Sequence, residues 1–431
     1  MKLYHDYKKQ SRVFSLFLLG ILLVIPFVFS YAQTAQELNE KINQKNADID
    51  KLEKEIKLYQ TEIDDLGKQK NSLNVSLKQL DLTQKKLVAD IAVTQNKIDK
   101  TNFKIKELSL EIDNKGDIMS NNIEDISLSI RKMNELEQND VLATILSEND
   151  FTIIWNDIDN MTTVSDKIRE TIIDLKQARN DLEDTRKETT DAKDELLALK
   201  SKLADQKKIV DQNTAEKKKL LTQTKNSEAS YQKLLENRLA KKDAFEKELE
   251  AYESQLKYIL DPSSLPGKGA LSWPLDDIYI TQLFGVTKDS KRLYASGSHS
   301  GVDFRASVGT PVKAVADGIV LGTGNTDIAC PYASFGKFIF IKHNNGLSTT
   351  YGHLSLIKVS KGDKVERGDV IGYSGNTGHT TGPHLHLTVY ASEAAKMETR
   401  PSKACEGRFY TMPIAPTNAY LDPMYYLPPY K

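Results

Sequence analysis

The sequence predicts an α + β multidomain protein: a long antiparallel coiled-coil hairpin followed by an all-β domain. Three observations carry that prediction. Between Pro26 and Pro262 there is no proline, and the only glycines are Gly67 and Gly116. Twelve of the thirteen prolines and nineteen of the twenty-two glycines follow residue 260, so a stretch without helix breakers gives way to one full of turns. Six of the seven histidines follow residue 298, which gathers the metal-binding and proton-transfer chemistry in the second part. At 431 residues the chain exceeds one ordinary domain. Its net charge of -1, with mixed signs, argues against a general binder of nucleic acid or anionic surfaces.

Residues 1–32 read as an export signal. Lys2, Lys8, Lys9 and Arg12 precede an apolar run from Val13 to Phe29, and Ser30-Tyr31-Ala32 fits a small-x-small cleavage site. The alternative is an uncleaved membrane anchor, because the run nearly spans a bilayer. Either reading places the rest of the chain outside the cytoplasm, in a periplasm or at a cell surface.

Residues 33–260 are expected to form the hairpin. One set of seam positions runs Ala35, Ile42, Ile49, Ile56, Ile63, Lys70, Leu77, Gln84, Ile91, Ile98, Ile105 and Ile112. The other includes Leu38, Leu52, Tyr59, Leu66, Leu73, Leu80, Leu87 and Leu108. Isoleucine at a and leucine at d describe a left-handed seam that needs a partner helix. A weaker heptad follows through Leu175, Leu182, Leu196, Leu203 and Val210, and arms of similar length favour pairing within one chain. A parallel dimer is the alternative. The heptad lapses over about 117–163, where Val141 to Leu146 and Phe151 to Trp155 are apolar; this predicts a small helical tip with an internal core. An exposed surface for a partner is the other reading. Near the end of the hairpin, Phe245, Leu249, Tyr252, Leu256, Tyr258 and Ile259 carry enough apolar surface either to lie against the β domain or to finish the seam.

Residues 261–272, with Pro262, Pro266, Gly267 and Gly269, read as a linker. Residues 273–431 read as the β domain: short alternating segments such as Ile278 to Thr281 and Lys337 to Ile341 are separated by glycine turns. Cys330 and Cys405 are the only cysteines, and two cysteines in an exported chain predict a disulfide. Two half-buried free thiols are the alternative.

The chemistry lies in His299 and Asp303, in His353, and in His384-Leu385-His386. Imidazole and carboxylate are the usual ligands of catalytic zinc, and three of them leave a fourth position for water. In a strand, residues two apart share a face, so His384 and His386 point the same way. One binds metal while the other stands close enough to handle protons. Gly301 between His299 and Asp303 permits a bend that brings both to one ion. Each piece alone is weak, since a His-x-His on a strand is usually two polar residues on a wet face. His343 and His379 read as ordinary turn or surface residues.

Together the motifs resemble the LytM/lysostaphin-type zinc metalloendopeptidases of bacterial cell walls. The resemblance covers about residues 270–395. It includes Ser298-His299-Ser300-Gly301-Val302-Asp303-Phe304, Tyr351-Gly352-His353-Leu354, Ser374-Gly375-Asn376-Thr377-Gly378 and Gly382-Pro383-His384-Leu385-His386. It implies a lysostaphin-like peptidase domain with Zn2+ held by His299, Asp303 and His386, and with His353 and His384 as uncoordinated catalytic histidines. It implies peptidoglycan as substrate. The order of signal, coiled coil and β domain is similar to the EnvC-type subgroup, whose members are recruited by a cell-division ABC-type membrane complex. Some members have lost the zinc ligands and only activate separate cell-wall amidases, which is the alternative function here. This chain departs from those, because all five site residues are present.

Overall fold

The structure, a computed structural model, describes residues 35–69, 71–137, 151–256, 261, 263, 265–287, 290 and 297–430. The expected export signal lies outside these residues, as does 138–150 in the middle of the expected tip. Four long helices come first: α1 (Ala35–Gly67), α2 (Leu73–Glu137), α3 (Phe151–Thr224) and α4 (Glu228–Glu253). No described helix is long and apolar enough to cross a membrane. The chain divides into two units, one made of the residues up to Gln44 with Lys100–Lys193, the other of Lys45–Asp99 with Asp194–Lys431.

In the first unit the helices pair antiparallel. Asn39 of α1 donates to Glu107 of α2 at 2.7 Å. Lys104 of α2 meets Glu188 of α3 at 3.5 Å, and Lys115 donates to Thr185 at 2.7 Å. Leu38, Leu108 and Leu182 are buried between them. The described part of the expected tip differs from a small packed cap. It continues α2 and α3 as helix, and Ile123, Leu128, Ile130 and Trp155 stay exposed. Residues 117–137 contain no helix breaker to turn the chain back, so nothing described folds over this apolar surface.

In the second unit the seam predicted from Ala35 to Ile112 is not one helix. It breaks after Gly67, and α1 folds back along α2: Lys45 bridges to Asp99 at 2.9 Å and Glu53 lies 3.8 Å from Lys97. Ser72 caps the new helix by accepting the Val75 N–H. The heptad keeps its register across this turn, so apolar spacing alone carried no sign of it. Further along, Gln84 meets Thr214 and Asp81 pairs with Lys217, setting α2 antiparallel to α3. The polar seam residue Thr94 satisfies its hydroxyl on the Asp90 carbonyl one turn back. Lys225 and Asn226 then adopt positive φ and Ser227 caps α4.

The β part of this unit has thirteen short strands among the described residues. They are β1 (Ile280–Gln282), β2 (Val302–Arg305), β3 (Pro311–Lys313), β4 (Gly318–Asn325), β5 (Lys337–His343), β6 (Leu347–Gly352) and β7 (Leu354–Ile357). Then come β8 (Lys364–Val365), β9 (Val370–Ser374), β10 (His384–Ala391), β11 (Lys396–Pro401), β12 (Phe409–Ile414) and β13 (Tyr420–Leu421), followed by a short helix α5 (Pro423–Tyr426). The main sheet runs β1-β2-β10-β6-β5-β4-β8, with β13 also on β10. β3-β9-β7 and β11-β12 form two smaller sheets, and the pairings are antiparallel. Val302, Phe304, Ile339, Ile341, Leu385 and Leu387 fill the core beneath the main sheet. In β10 the leucines point inward, so His384 and His386 are left on the opposite face.

Cys330 and Cys405 form a disulfide, with Cα atoms 5.7 Å apart. They sit in a second apolar cluster with Phe335, Phe338, Tyr410 and Met412. Phe245 of α4 is buried in that cluster, with Leu249, Tyr252 and Leu256 packed against it. The described part of this aromatic end, Phe245 to Leu256, therefore docks on the β domain instead of finishing its own seam, while Tyr258 and Ile259 lie outside the described residues. Burying one such ring contributes about 2–3 kcal/mol.

Candidate active site

The site is built where β10 lies between β2 and β6. Register places His386 opposite Asp303 on one side and opposite Gly352 on the other. His299 enters from the turn before β2, which is anchored by a bridge to Gly285. A Cβ at Gly301 would run into the Leu387 carbonyl oxygen and the His386 ring, so only glycine lets that turn lie flat on β10. His353 follows β6 and holds φ 61, a left-handed conformation uncommon outside glycine.

Three donor atoms converge. Asp303 Oδ1 lies 2.8 Å from His386 Nδ1 and 3.2 Å from His299 Nε2, and the two ring nitrogens are 3.1 Å apart. All three residues are buried. The second nitrogen of each histidine is already engaged: His299 Nδ1 lies 3.0 Å from the Leu283 carbonyl, and His386 Nε2 lies 2.8 Å from Thr388 Oγ1. A ring N–H donating to a carbonyl or hydroxyl leaves the facing nitrogen with its lone pair. In a tetrahedral zinc site with bonds of about 2.0–2.2 Å, neighbouring ligand atoms stand about 3.3–3.6 Å apart. The observed spacings need to open by only a few tenths of an ångström, so the donor set fits a metal ion. Burial pushes the Asp303 carboxyl up, but the nearby imidazoles of His384, His299 and His386 outweigh it and hold the group well below the usual carboxylate range.

His353 and His384 flank this trio, their rings 4.6 Å apart. His353 Nδ1 lies 2.8 Å from the Thr377 carbonyl and His384 Nδ1 lies 2.8 Å from the Gly382 carbonyl, which leaves each Nε2 on the other side of its ring; that of His384 lies 3.6 Å from Asp303 Oδ1. Burial first, then the charges of His384 and His386, push His353 well below the usual imidazole range. The five residues singled out in the sequence thus form one constellation. His343 and His379 differ from the surface role expected of them. His343 is buried, bonded through Nε2 to Thr349 and through Nδ1 to the Asp317 carbonyl. His379 lies 3.2 Å from Glu246 of α4, and burial beside Lys242 takes it down to about 3.

A cleft of about 370 Å³ opens beside the trio. The β domain lines it with His299, His353, His386 and Phe335; α4 lines it with Glu246, Leu249, Glu250 and Glu253. The supporting acceptors Thr388, Leu283, Thr377 and Gly382 were not foreseen. Thr388 alone carried a signal, since it shares the face of His384 and His386 by strand alternation.

Residues 297–398 match peptidase family M23, and this part of the chain is an M23 (LytM-type) peptidase domain. Peptidoglycan DD-endopeptidase ShyA of Vibrio cholerae is 52% identical over 88 residues, which is 20% of this chain and 19% of that protein. Cell division protein DipM of Caulobacter vibrioides is 33% identical over 135 residues, 31% of this chain and 20% of that protein. The catalytic domain of lysostaphin from Staphylococcus simulans aligns with 34% of this chain and 90% of its own, at 28% identity and a TM-score of 0.25. The chain thus spans about a fifth of the length of these curated relatives.

Proposed function

We propose that the protein is a zinc-dependent endopeptidase that cleaves peptide bonds of peptidoglycan during cell-wall remodelling or division. The observation that carries this reading is the convergence of His299 Nε2, Asp303 Oδ1 and His386 Nδ1, with two further imidazoles, His353 and His384, held beside them by backbone carbonyls. The names of ShyA and DipM support the substrate and the setting.

In this reading His299, Asp303 and His386 hold the ion. Bound zinc supplies Lewis acidity at the scissile carbonyl and a nucleophile at neutral pH. His353 keeps its own proton on Nδ1, against Thr377, and takes another on Nε2. The proton taken by His353 is the one returned to the leaving amine, with His384, held by Gly382, placed to relay it through its own Nε2. Leu283 and Thr388 fix the ring planes of the ligand histidines, so neither turns away as charge shifts. Phe335, beside the His386 ring at 5.7 Å, keeps water from that side.

The same reading places the protein outside the cytoplasm, exported by residues 1–32. The exposed apolar residues Ile123, Leu128, Ile130 and Trp155 support recruitment by a membrane complex of the ABC type. Helix α4, which supplies one wall of the cleft, restrains access to it. The deciding experiment is zinc analysis of the purified protein combined with turbidity loss of isolated cell walls. Zinc together with chelator-sensitive lysis is expected. Zinc without lysis would transfer the reading to an activator of a separate amidase.

A further inference from the structure

We propose that Asp327 is a positioning residue that orients His353 through a single peptide group. This rests on His353 being a proton-handling residue of the site. Asp327 lies in the loop between β4 and β5, in a segment the family motifs do not include. One carboxylate oxygen accepts the Tyr332 N–H at 2.6 Å, and the other accepts the Gly378 N–H at 2.9 Å. That second N–H and the Thr377 carbonyl belong to one peptide group. In a trans peptide they point in opposite directions, and no cis peptide occurs among the described residues. The Thr377 carbonyl accepts the His353 Nδ1–H at 2.8 Å. A continuous line results: carboxylate, peptide N–H, peptide carbonyl, imidazole N–H.

Two consequences follow from elementary chemistry. The carboxylate fixes the rotation of that peptide plane, and so fixes where His353 finds its acceptor. Its negative charge also polarises the peptide, strengthening the carbonyl as an acceptor. The proton is thereby kept on Nδ1, and Nε2 is left as the lone-pair nitrogen facing the site. A carboxylate that touched the ring directly would do the same, but here it acts one peptide away.

The backbone is shaped for this connection. Gly336 and Gly378 both have positive φ, and a Cβ on either would collide with the backbone of the other. The β4–β5 loop therefore comes close enough for Asp327 to reach the peptide. The same loop receives the His353 N–H on the Phe335 carbonyl at 2.7 Å and the His379 N–H on the Ser334 carbonyl. The Thr377 side chain donates to the Leu354 carbonyl, which holds the peptide from its other end.

The test uses the full chain with nitrogen-15 histidine and the variants Asp327→Asn and Asp327→Ala. Wild type is expected to show His353 as the Nδ1–H tautomer, with the Gly378 amide proton slow to exchange. In the variants the tautomer should become mixed. The kcat should fall about tenfold or more, with KM changed less than about twofold and zinc content retained. An Nε2–H tautomer in wild type would overturn the proposal. So would a folded Asp327→Ala protein that loses thermal stability but keeps the tautomer and kcat. If both variants fail to fold, the wild-type Gly378 amide still tests the contact to Asp327, since rapid exchange of that proton would overturn the proposal. Because the tautomer is read without turnover, a wild type that digests no cell wall would sink the peptidase reading alone.

Discussion

Phe245 of α4 meets Tyr410 of β12 edge to face, ring centroids 4.9 Å apart, and its own side chain is fully buried. The contact joins helix α4 to the cluster around the Cys330–Cys405 disulfide. Around it, Glu248 accepts the Lys403 and Ala404 N–H groups, and Arg400 stacks on Tyr252 at 3.3 Å. The face of α4 one residue on, at Glu246, Leu249 and Glu250, lines the cleft beside the His299, Asp303 and His386 trio. The same helix therefore both docks on the β domain and walls the cleft.

Replacing Phe245 by alanine should loosen that docking by about 3–5 kcal/mol, the cost of deleting a buried aromatic ring. If α4 restrains access, wall digestion by Phe245→Ala should rise on the order of fivefold at equal zinc loading. The assay belongs well below the melting temperature, since the substitution also lowers stability. A rate equal to wild type would make α4 a scaffold and not a restraint.

The metal prediction separates the trio from its neighbours. His299→Ala, Asp303→Ala and His386→Ala each leave two protein ligands and should lose zinc on dialysis. His353→Ala and His384→Ala should retain one zinc per chain and lose turnover by about 100-fold or more. Metal analysis and wall digestion on the five variants check this. Zinc loss in His384→Ala with retention in His386→Ala would reverse the assignment within β10.

The grouping of the candidate site residues was legible in the sequence because they announce themselves in one dimension. His384 and His386 sit two apart in a strand, and His299 and Asp303 straddle a glycine. The split into helix and sheet was equally plain from the distribution of proline and glycine. The fold-back of α1 was hidden, because the heptad runs on across Gly67 to Ser72 and spacing does not report direction. His343 was misjudged because a histidine beside a turn looks exposed until Thr349 and the Asp317 carbonyl are brought to its two nitrogens. Asp327 gave no signal at all; its role exists only once the β4–β5 loop meets Gly378.

The disulfide closes a separation of 75 residues. In the chain-entropy view that stabilises by about 4 kcal/mol, which for a domain of this size corresponds to roughly 10 °C. The double variant Cys330→Ser with Cys405→Ser should melt lower by that order. It should also show weaker protection of α4 amides, because Phe245 packs on the cluster holding the bridge. An unchanged melting temperature, or two alkylatable thiols in wild type purified without reductant, would refute the role.

The last prediction concerns Glu253, at the end of α4, whose Oε1 accepts the Tyr420 hydroxyl at 2.7 Å. Burial pushes its pKa up from 4.5 to about 7, against the opposing hydrogen bonds from Tyr420 and the Ala415 N–H. The folded state therefore binds the proton more tightly than the unfolded state does. Between about pH 4.5 and 7 the unfolded chain carries fewer protons, so stability falls as pH rises through that window and levels off above it. The full effect is on the order of 3 kcal/mol. Glu253→Gln keeps an acceptor for Tyr420 and removes the titration. Near pH 4 the two proteins should melt alike, and near pH 8 the variant should melt higher, by several degrees. The cleft should accordingly be tightest in acid and looser at pH 8 in wild type, but independent of pH in the variant, as read by hydrogen exchange of α4. Parallel melting curves for the two proteins across pH 4 to 8 would show that Glu253 is ionised in both states and that α4 docking carries no proton.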